Sequence, residues 1–183
     1  TAQIEAVGGR IEVMIAPFAR DVERFDEIPG VGLIAAQELI AEIGVDATRF
    51  PTAAHLVSWA NFAPIDHNSA GKKRGGSTGK GNPWLGGTLG EIVASTARTN
   101  TFLGERYRRL ARRRGKKRAI VAVGNSVLTI LRHLLADPEA HYQDLGSDYY
   151  QTKINSRRRE RDLIRQLEHL TGKKVTLAPT AVA

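Results

Sequence analysis

Apolar residues in the first part of the chain recur at the spacing of a helical seam. The repeat consists of Ile4, Val7, Ile11, Met14, Phe18 and Phe25. Steps of three, four and seven residues predict a helix over 3–26 with a coiled-coil-like apolar face, and Pro17 should kink or break it because proline cannot join the helical hydrogen-bond ladder. The pattern leaves two interpretations open: a coiled-coil helix that meets a partner helix, and a plain surface helix that packs on its own domain.

Helical spacing continues along the rest of the chain between glycine-rich and proline-rich segments. Further helices are predicted over 33–43, 52–61, 83–99, 102–114, 117–135 and 156–171. Gly44 is a suitable helix stop, and Asn82-Pro83 is a suitable start, with asparagine as the cap and proline in the first turn. Residues 64–82 are rich in Gly, Lys, Ser and Asn, which predicts a loop or a short hairpin.

These elements predict a mainly α fold, a helical domain with a helix-hairpin-helix element that is preceded by a coiled-coil-like helix. The expected organisation is a linker helix over 1–25, a central domain over 26–150, and a C-terminal amphipathic helix and tail over 151–183. A length of 183 residues suits one domain with an extension. The hydrophobic content of 42% is enough for a sizeable core.

The absence of cysteine narrows the classes of function. Because the sequence contains no cysteine, it excludes a disulfide scaffold, cysteine-ligated zinc, iron–sulfur clusters and thiol catalysis. No apolar run approaches the roughly 20 residues that cross a bilayer, and no signal-peptide pattern is present. We therefore expect a cytoplasmic protein with no membrane partner.

The net charge is strongly positive and is concentrated in the middle of the chain. There are 27 Lys and Arg residues against 19 Asp and Glu, which gives a formal net charge of +8. Residues 51–118 alone hold 14 basic and three acidic side chains, whereas residues 1–50 hold four basic and nine acidic ones. A basic block beside an acidic one predicts a shaped site for a polyanion, and nucleic acid is the expected partner.

The segment Ile28-Pro29-Gly30-Val31-Gly32 is typical of the hairpin in a helix-hairpin-helix module. Gly30 and Gly32 allow a tight turn between helices, and backbone N–H groups there can face a nucleic-acid phosphate. We therefore predict both glycines as DNA- or RNA-binding residues. A glycine-rich turn without a ligand is the alternative.

A second candidate site is the basic, glycine-rich loop over 67–82. Its cationic residues, predicted to bind nucleic acid, are Lys72, Lys73, Arg74 and Lys80. The loop is not a P-loop, because Gly79-Lys80 is followed by Gly81 and no strand precedes it. Two interpretations remain, a flexible loop that grips nucleic acid and a serine nucleophile whose attack on phosphorus is favoured by the surrounding cations.

A third candidate site is the basic run over 106–118. The residues in it that we predict to bind nucleic acid are Arg108, Arg109, Arg112, Arg113, Lys116 and Lys117. On a helix, residues four apart lie on one face, so Arg108 with Arg112, and likewise Arg109 with Arg113, could follow a phosphate backbone. A solvated basic face is the alternative.

Metal-ligating residues are scattered along the sequence. The basic third contains the carboxylates of Asp66, Glu91 and Glu105 and no others, and the five histidines show no metal-binding spacing. Because a two-metal nuclease needs several converging carboxylates, we expect no metal site and no cofactor in this chain.

Several short motifs follow one another in a definite order. They are Ile28-Pro29-Gly30-Val31-Gly32, Phe50-Pro51-Thr52-Ala53-Ala54-His55-Leu56, Ser69-Ala70-Gly71-Lys72, Lys80-Gly81-Asn82-Pro83-Trp84-Leu85, Tyr107-Arg108-Arg109-Leu110 and the stretch 115–123. This order resembles the C-terminal transposase domain of the bridge-RNA-guided serine insertion-sequence recombinases, over roughly residues 25–140. The chain differs in having Gly124-Asn125 where the family commonly repeats alanine in a buried helix.

The resemblance implies a DNA transposase that moves a mobile element by cutting and rejoining DNA, with residues 26–150 as the catalytic domain. Ser69 would be the catalytic nucleophile, forming a phosphoserine–DNA intermediate and releasing a 3′-hydroxyl. The implied partners are DNA, a guide (bridge) RNA and further copies of the chain, as a dimer or tetramer. The resemblance also implies a nucleoid-associated prokaryotic protein, and Mg²⁺ bound by an upstream RNase H-like domain to which the 1–25 helix is the link.

Two other classes of function remain open. A non-catalytic helix-hairpin-helix module would bind DNA or RNA in a salt-sensitive way without cutting it. A basic RNA-binding protein of ribosomal type would prefer folded RNA over branched DNA.

Overall fold

The computed structural model describes residues 2–63, 67–69, 72–74, 78–152 and 156–176. Its helices are α1 (Ala2–Ile15), α2 (Ala19–Asp26), α3 (Leu33–Ile43), α4 (Ala53–Trp59), α5 (Pro83–Thr96), α6 (Phe102–Arg114), α7 (Lys116–Ala136), α8 (Tyr149–Thr152) and α9 (Ser156–Thr171). Strands β1 (His67–Ser69) and β2 (Lys72–Arg74) form one antiparallel hairpin. The prediction of a mainly helical fold is confirmed.

Pro17 interrupts the N-terminal helix as predicted. A 3₁₀ turn over Ala16–Phe18 separates α1 from α2, because proline lacks the N–H that the α-helical ladder requires. Five apolar residues of α1 are exposed, namely Ile4, Val7, Ile11, Val13 and Met14, whereas Ile15 at its end packs against the core. Phe25 on α2, by contrast, is fully buried. The interpretation of a helix packed on its own domain therefore fits α2 and does not fit α1.

Helix α7 is the central helix of the core. It packs against α2, α4, α5 and α6. Its buried residues recur every three or four positions and are Ala119, Val123, Gly124, Val127, Leu128, Leu131, Leu134 and Leu135. By length and composition α7 is also apolar enough to cross a bilayer, contrary to the expectation from the sequence. Its packing on four neighbouring helices is that of a core helix, and its apolar character serves that packing.

The C-terminal end of α7 is held by a buried arginine of α2. The guanidinium of Arg24 donates hydrogen bonds to the carbonyl oxygens of Leu134 at 2.5 Å, Asp137 at 2.6 Å and Ala140 at 2.9 Å. It also forms an ion pair with Asp21 at 3.3 Å. The last carbonyls of a helix have no partner within the helix, so Arg24 supplies the donors that α7 needs at this end.

Residues 141–146 are tied back to the helices by carboxylates. Glu27 accepts hydrogen bonds from the Tyr142 N–H at 2.8 Å and pairs with His141 Nδ1 at 2.6 Å. Partial burial alone would raise the pKa of Glu27, but the bonds from His141 and Tyr142 outweigh it and lower the pKa. Asp144 accepts from the Phe102 N–H at 3.0 Å and from the Tyr142 hydroxyl at 3.1 Å. Burial of the Tyr142 hydroxyl raises its pKa, and the negative charge of the neighbouring Asp144 raises it further.

The chain divides into two compact units, Thr1–Ser147 and Asp148–Ala183. The second unit contains α8 and α9. Along α9, Leu163, Leu167 and Leu170 are exposed, and their spacing places them on one side of the helix.

Candidate cleavage loop and nucleic-acid interface

The basic loop is closed where its two ends meet. Gly81, near the end of the loop, approaches the residues that follow α4 so closely that an added Cβ would lie 2.7 Å from the Ala60 carbonyl oxygen. No side chain fits at that distance, so glycine is required here by backbone contact rather than by an unusual φ angle. The 19 residues between Asn61 and Gly81 therefore leave and rejoin the domain at one place.

The start of the loop is seated on α7. The Phe62 ring lies over Gly124, where an added Cβ would come within 2.6 Å of the ring. Asn125 donates a hydrogen bond to the Phe62 carbonyl oxygen at 3.3 Å. The Gly124-Asn125 pair thus makes room for Phe62 and anchors its backbone.

The end of the loop is fixed at the start of α5 by Asn82. Its Oδ1 accepts from the N–H of Trp84 at 2.9 Å, which confirms the predicted helix cap. Its amide also donates to Glu42 of α3. The Thr88 hydroxyl of α5 donates to Glu38, one turn before Glu42 on α3, at 2.6 Å. Because Glu38 and Glu42 are four residues apart, α3 presents two acceptors in a row to α5.

Within the loop, the hairpin places the candidate nucleophile in register with the cationic residues. Ser69 pairs with Lys72, Asn68 with Lys73, and His67 with Arg74. Each of the three basic residues of β2 therefore stands opposite a residue of the serine strand. The residues that join the two strands, and Ser77, lie outside the described residues. Lys80, at the end of the loop, is exposed.

The glycine turn between α2 and α3 is packed against the far end of α5. Gly30 has φ +90°, and an added Cβ would lie 2.2 Å from Thr96 Oγ1 and 2.6 Å from the Ile92 carbonyl oxygen. The Thr96 hydroxyl donates to the Pro29 carbonyl oxygen at 2.5 Å. Gly30 thus has a structural role in this turn, whereas Gly32 is exposed with open space around it. Phosphate binding by either glycine stays a prediction.

The two glycine-rich features are not brought together by α5. Gly30 contacts Thr96 near the C-terminal end of this helix, and the basic loop joins its N-terminal end at Pro83. Twelve residues separate Trp84 from Thr96 along the helix, which corresponds to about 18 Å.

The basic run splits into an inner part and an outer part. Arg108 donates to the carbonyl oxygens of Ala97 at 3.2 Å and Thr99 at 2.9 Å and pairs with Glu105 at 3.0 Å. It therefore completes the C-terminal end of α5. Arg109 is partly buried as well. Neither arginine projects fully into solvent, unlike the residues that follow.

The outer part is the turn between α6 and α7, which we call the basic elbow (residues 112–118). Its cationic residues are all exposed and are Arg112, Arg113, Arg114, Lys116, Lys117 and Arg118. Gly115, with φ +84°, ends α6 and starts α7 in a single residue. The tight link concentrates six positive charges within seven residues. Lys116 is eight residues from Gly124, where the loop is seated, or about 12 Å along α7.

The charges of the basic elbow affect the stability of its two helices in opposite ways. Arg112, Arg113 and Arg114 in the last turn of α6 interact favourably with the helix dipole. Lys116 and Lys117, however, begin α7 with no acidic residue in that first turn, where the dipole opposes positive charge. A bound polyanion would relieve this repulsion, so the arrangement is suited to phosphate binding.

Metal binding finds no support in the described part of the chain. No group of three or more His, Asp or Glu residues is placed there to hold a metal ion. The described residues therefore do not fit a resident metal, and no step proposed below passes through one in this chain.

One exposed aromatic residue of the site received no role in the sequence analysis. Trp84 stands in the first turn of α5, directly after the basic loop, with 76% of its surface exposed. Its exposure could have been predicted from its position immediately after the Asn82-Pro83 cap. A helix begins there, so no preceding turn is present on which a large apolar side chain could pack.

A basic loop and a basic elbow, both seated on the core helix of a helical domain, are features of a nucleic-acid-binding protein. Residues 22–108 match the model of the Transposase IS116/IS110/IS902 family. Over 132 residues, 68% of this chain and 33% of the relative, the chain is 30% identical to "Putative transposase y4pF/y4sB" of Sinorhizobium fredii (strain NBRC 101917 / NGR234).

A second relative comes from another bacterium. Over 42 residues, 23% of this chain and 10% of the relative, the chain is 50% identical to "Insertion element IS110 uncharacterized 43.6 kDa protein" of Streptomyces coelicolor (strain ATCC BAA-471 / A3(2) / M145). The chain spans a third or less of the length of these curated relatives. Together the matches support an IS110-family transposase domain over residues 22–108.

Proposed function

We propose that this chain is the nucleophile-bearing part of a DNA transposase and that Ser69 attacks the DNA. The observation that carries the proposal is the hairpin register, which pairs Ser69 with Lys72 and sets three basic residues along the serine strand. Cations beside a serine favour an attacking alkoxide and neutralise the charge that develops on a phosphoryl group. The transposase domain identified over residues 22–108 contains this hairpin.

The proposed step is a transesterification. The Ser69 oxygen forms a bond to the phosphorus of a DNA phosphodiester, and the bond from phosphorus to the 3′-oxygen breaks. The serine proton is lost, and the leaving oxygen takes up a proton and departs as a 3′-hydroxyl. The end of the break that carries the 5′-phosphate stays joined to Ser69 as a phosphodiester, so the energy of the bond is kept for rejoining when a 3′-hydroxyl attacks in the reverse sense.

The partners follow from the surfaces around the loop. The basic elbow is suited to the phosphate backbone of the DNA or of a guide RNA.

The exposed seam of α1 is suited to a second copy of the chain, because apolar residues at coiled-coil spacing otherwise remain in water. Light scattering of the wild type and of an Ile4→Glu/Ile11→Glu variant tests this association, and the variant should have the lower molecular mass. A variant that keeps the wild-type mass would contradict association through α1. Mg²⁺ is proposed for an upstream acidic domain.

Covalent capture tests the nucleophile. The full-length transposase that contains this chain, supplied with guide RNA and end-labelled DNA, should form an adduct that survives denaturation and disappears in the Ser69→Ala variant. Ser77→Ala is the matched control, since it removes another serine of the same loop and should leave the adduct intact. An adduct that persists in Ser69→Ala and is lost in Ser77→Ala would move the nucleophile to Ser77. Binding without an adduct in the wild type would favour a non-catalytic binding module.

A further inference from the structure

Trp84 is the more exposed of the two tryptophans of the chain. It is 76% exposed, whereas Trp59, the second of the two tryptophans, is 38% exposed and lies 5.3 Å from the Phe50 ring centroid. Tryptophan is usually largely buried, because its indole removes more apolar surface from water than any other side chain. An indole that remains exposed to water therefore indicates a ligand with a flat apolar face.

The backbone of Trp84 is fixed on both sides. Its N–H donates to Asn82 at 2.9 Å, and its carbonyl oxygen accepts from the Thr88 hydroxyl at 3.2 Å. Asn82 is in turn bonded to Glu42 of α3, and Pro83 restricts the backbone before the indole. Binding of a ligand would thus cost little backbone ordering at this position.

The surroundings of Trp84 select a polyanion. The sequence from His67 to Gly90 contains four basic residues and no acidic one. Lys80 is exposed four residues before Trp84. A single-stranded nucleic acid offers both features that this surface lacks, a negatively charged backbone and bases with uncovered faces. An intact duplex offers the charge but keeps its base faces stacked.

We propose that Trp84 stacks on an unpaired DNA base next to the phosphate that the basic loop engages. This inference rests on the proposed function in one respect: it takes the basic loop as the place where DNA is cut. Stacking on an unpaired base would hold the strand after it separates from its partner, and it would favour DNA that is open at the site of the break over continuous duplex.

The test is DNA binding by the 183-residue chain carrying Ser69→Ala, so that adduct formation plays no part. Trp84→Leu should lower the affinity for a short single-stranded DNA by roughly 5- to 100-fold, with Trp84→Phe keeping most of it. The slope of log K against log salt should stay unchanged in Trp84→Leu, because no charge is lost. Lys80→Gln is the matched control: it should reduce the magnitude of that slope by about 0.7, so its loss of affinity should become smaller as the salt concentration rises.

Fluorescence adds an independent readout. In a Trp59→Phe background the emission comes from Trp84 alone and should be quenched by single-stranded DNA, and less so by continuous duplex. Equal affinity of wild type and Trp84→Leu, an equal loss on duplex and single strand, or a Trp84-dependent preference for RNA of the same sequence would overturn the inference. Failure of the wild-type chain to bind any of these DNAs would overturn the inference and contradict DNA binding by the basic loop.

Discussion

At the scale of single residues, Arg24 is a buried side chain that links α2 to the end of α7. It is 3% exposed and serves three carbonyl oxygens at the end of α7. Arg24→Met keeps an unbranched apolar stem but leaves these carbonyls and Asp21 without their donor. We expect the free energy of unfolding to fall by about 3 kcal/mol, measured by urea denaturation.

Arg20 provides the matched control for Arg24. It lies on the same helix and reaches the same segment, where it pairs with Glu139 at 2.7 Å, but both side chains are largely exposed. Exposed pairs contribute little because water screens them, so Arg20→Met should leave the unfolding curve nearly unchanged. Equal effects of the two substitutions would show that the buried bonds of Arg24 do not hold α7.

At the scale of elements, the contact between the basic loop and α7 depends on Gly124, because the Phe62 ring occupies the space that a side chain would fill. Gly124→Ala places a Cβ where the Phe62 ring now lies, so the ring must move. We expect a loss of about 1–3 kcal/mol in the free energy of unfolding, even though alanine favours a helix more than glycine does.

Gly87→Ala is the control for Gly124→Ala, because Gly87 is also helical and has open space where a Cβ would be added. It should stabilise the protein by about 0.5–1 kcal/mol, the difference in helix propensity. The two glycine-to-alanine changes thus have opposite expected signs in the same denaturation experiment. A stabilising Gly124→Ala would mean that Phe62 is not held in this position.

The element boundaries were predictable wherever a local signal ends or starts a helix. Gly44, Asn82 and Pro17 act through their own backbone or cap geometry, and the structure has each boundary within a few residues of the prediction. The closely packed glycines were not predictable in the same way. Gly30 is required by Thr96, 66 residues away, and Gly124 by Phe62, and one sequence carries no record of which distant residue comes close.

In the candidate site, too, local features were predictable from the sequence and long-range contacts were not. A density of positive charge predicted the basic run, but Arg108 and Arg112 look alike in sequence. They differ because the Ala97 and Thr99 carbonyls lie beside Arg108, while Arg112 projects into water with 74% of its side chain exposed. Local charge therefore predicts that a polyanion site exists, and tertiary contacts decide which arginines are available to it.

At the scale of the whole molecule, the question is whether the net charge of +8 or its placement attracts nucleic acid. The basic elbow contains six exposed cationic residues beside the core helix that seats the basic loop. Lys173 and Lys174, in the second unit, are exposed too. General attraction depends on the total, since all charges contribute to the long-range field, whereas phosphate contacts depend on the particular residues.

Two double variants with the same net charge separate these possibilities. Arg113→Gln/Lys117→Gln and Lys173→Gln/Lys174→Gln each remove two positive charges from the 183-residue chain. If the elbow contacts phosphates, the first variant should lower the slope of log K against log salt for duplex DNA by about 2, because two fewer counterions are released. The second should keep the wild-type slope. Both proteins should unfold at nearly the wild-type urea concentration, since all four side chains are exposed. Equal slopes for the two variants would mean that net charge, and not the basic elbow, governs binding.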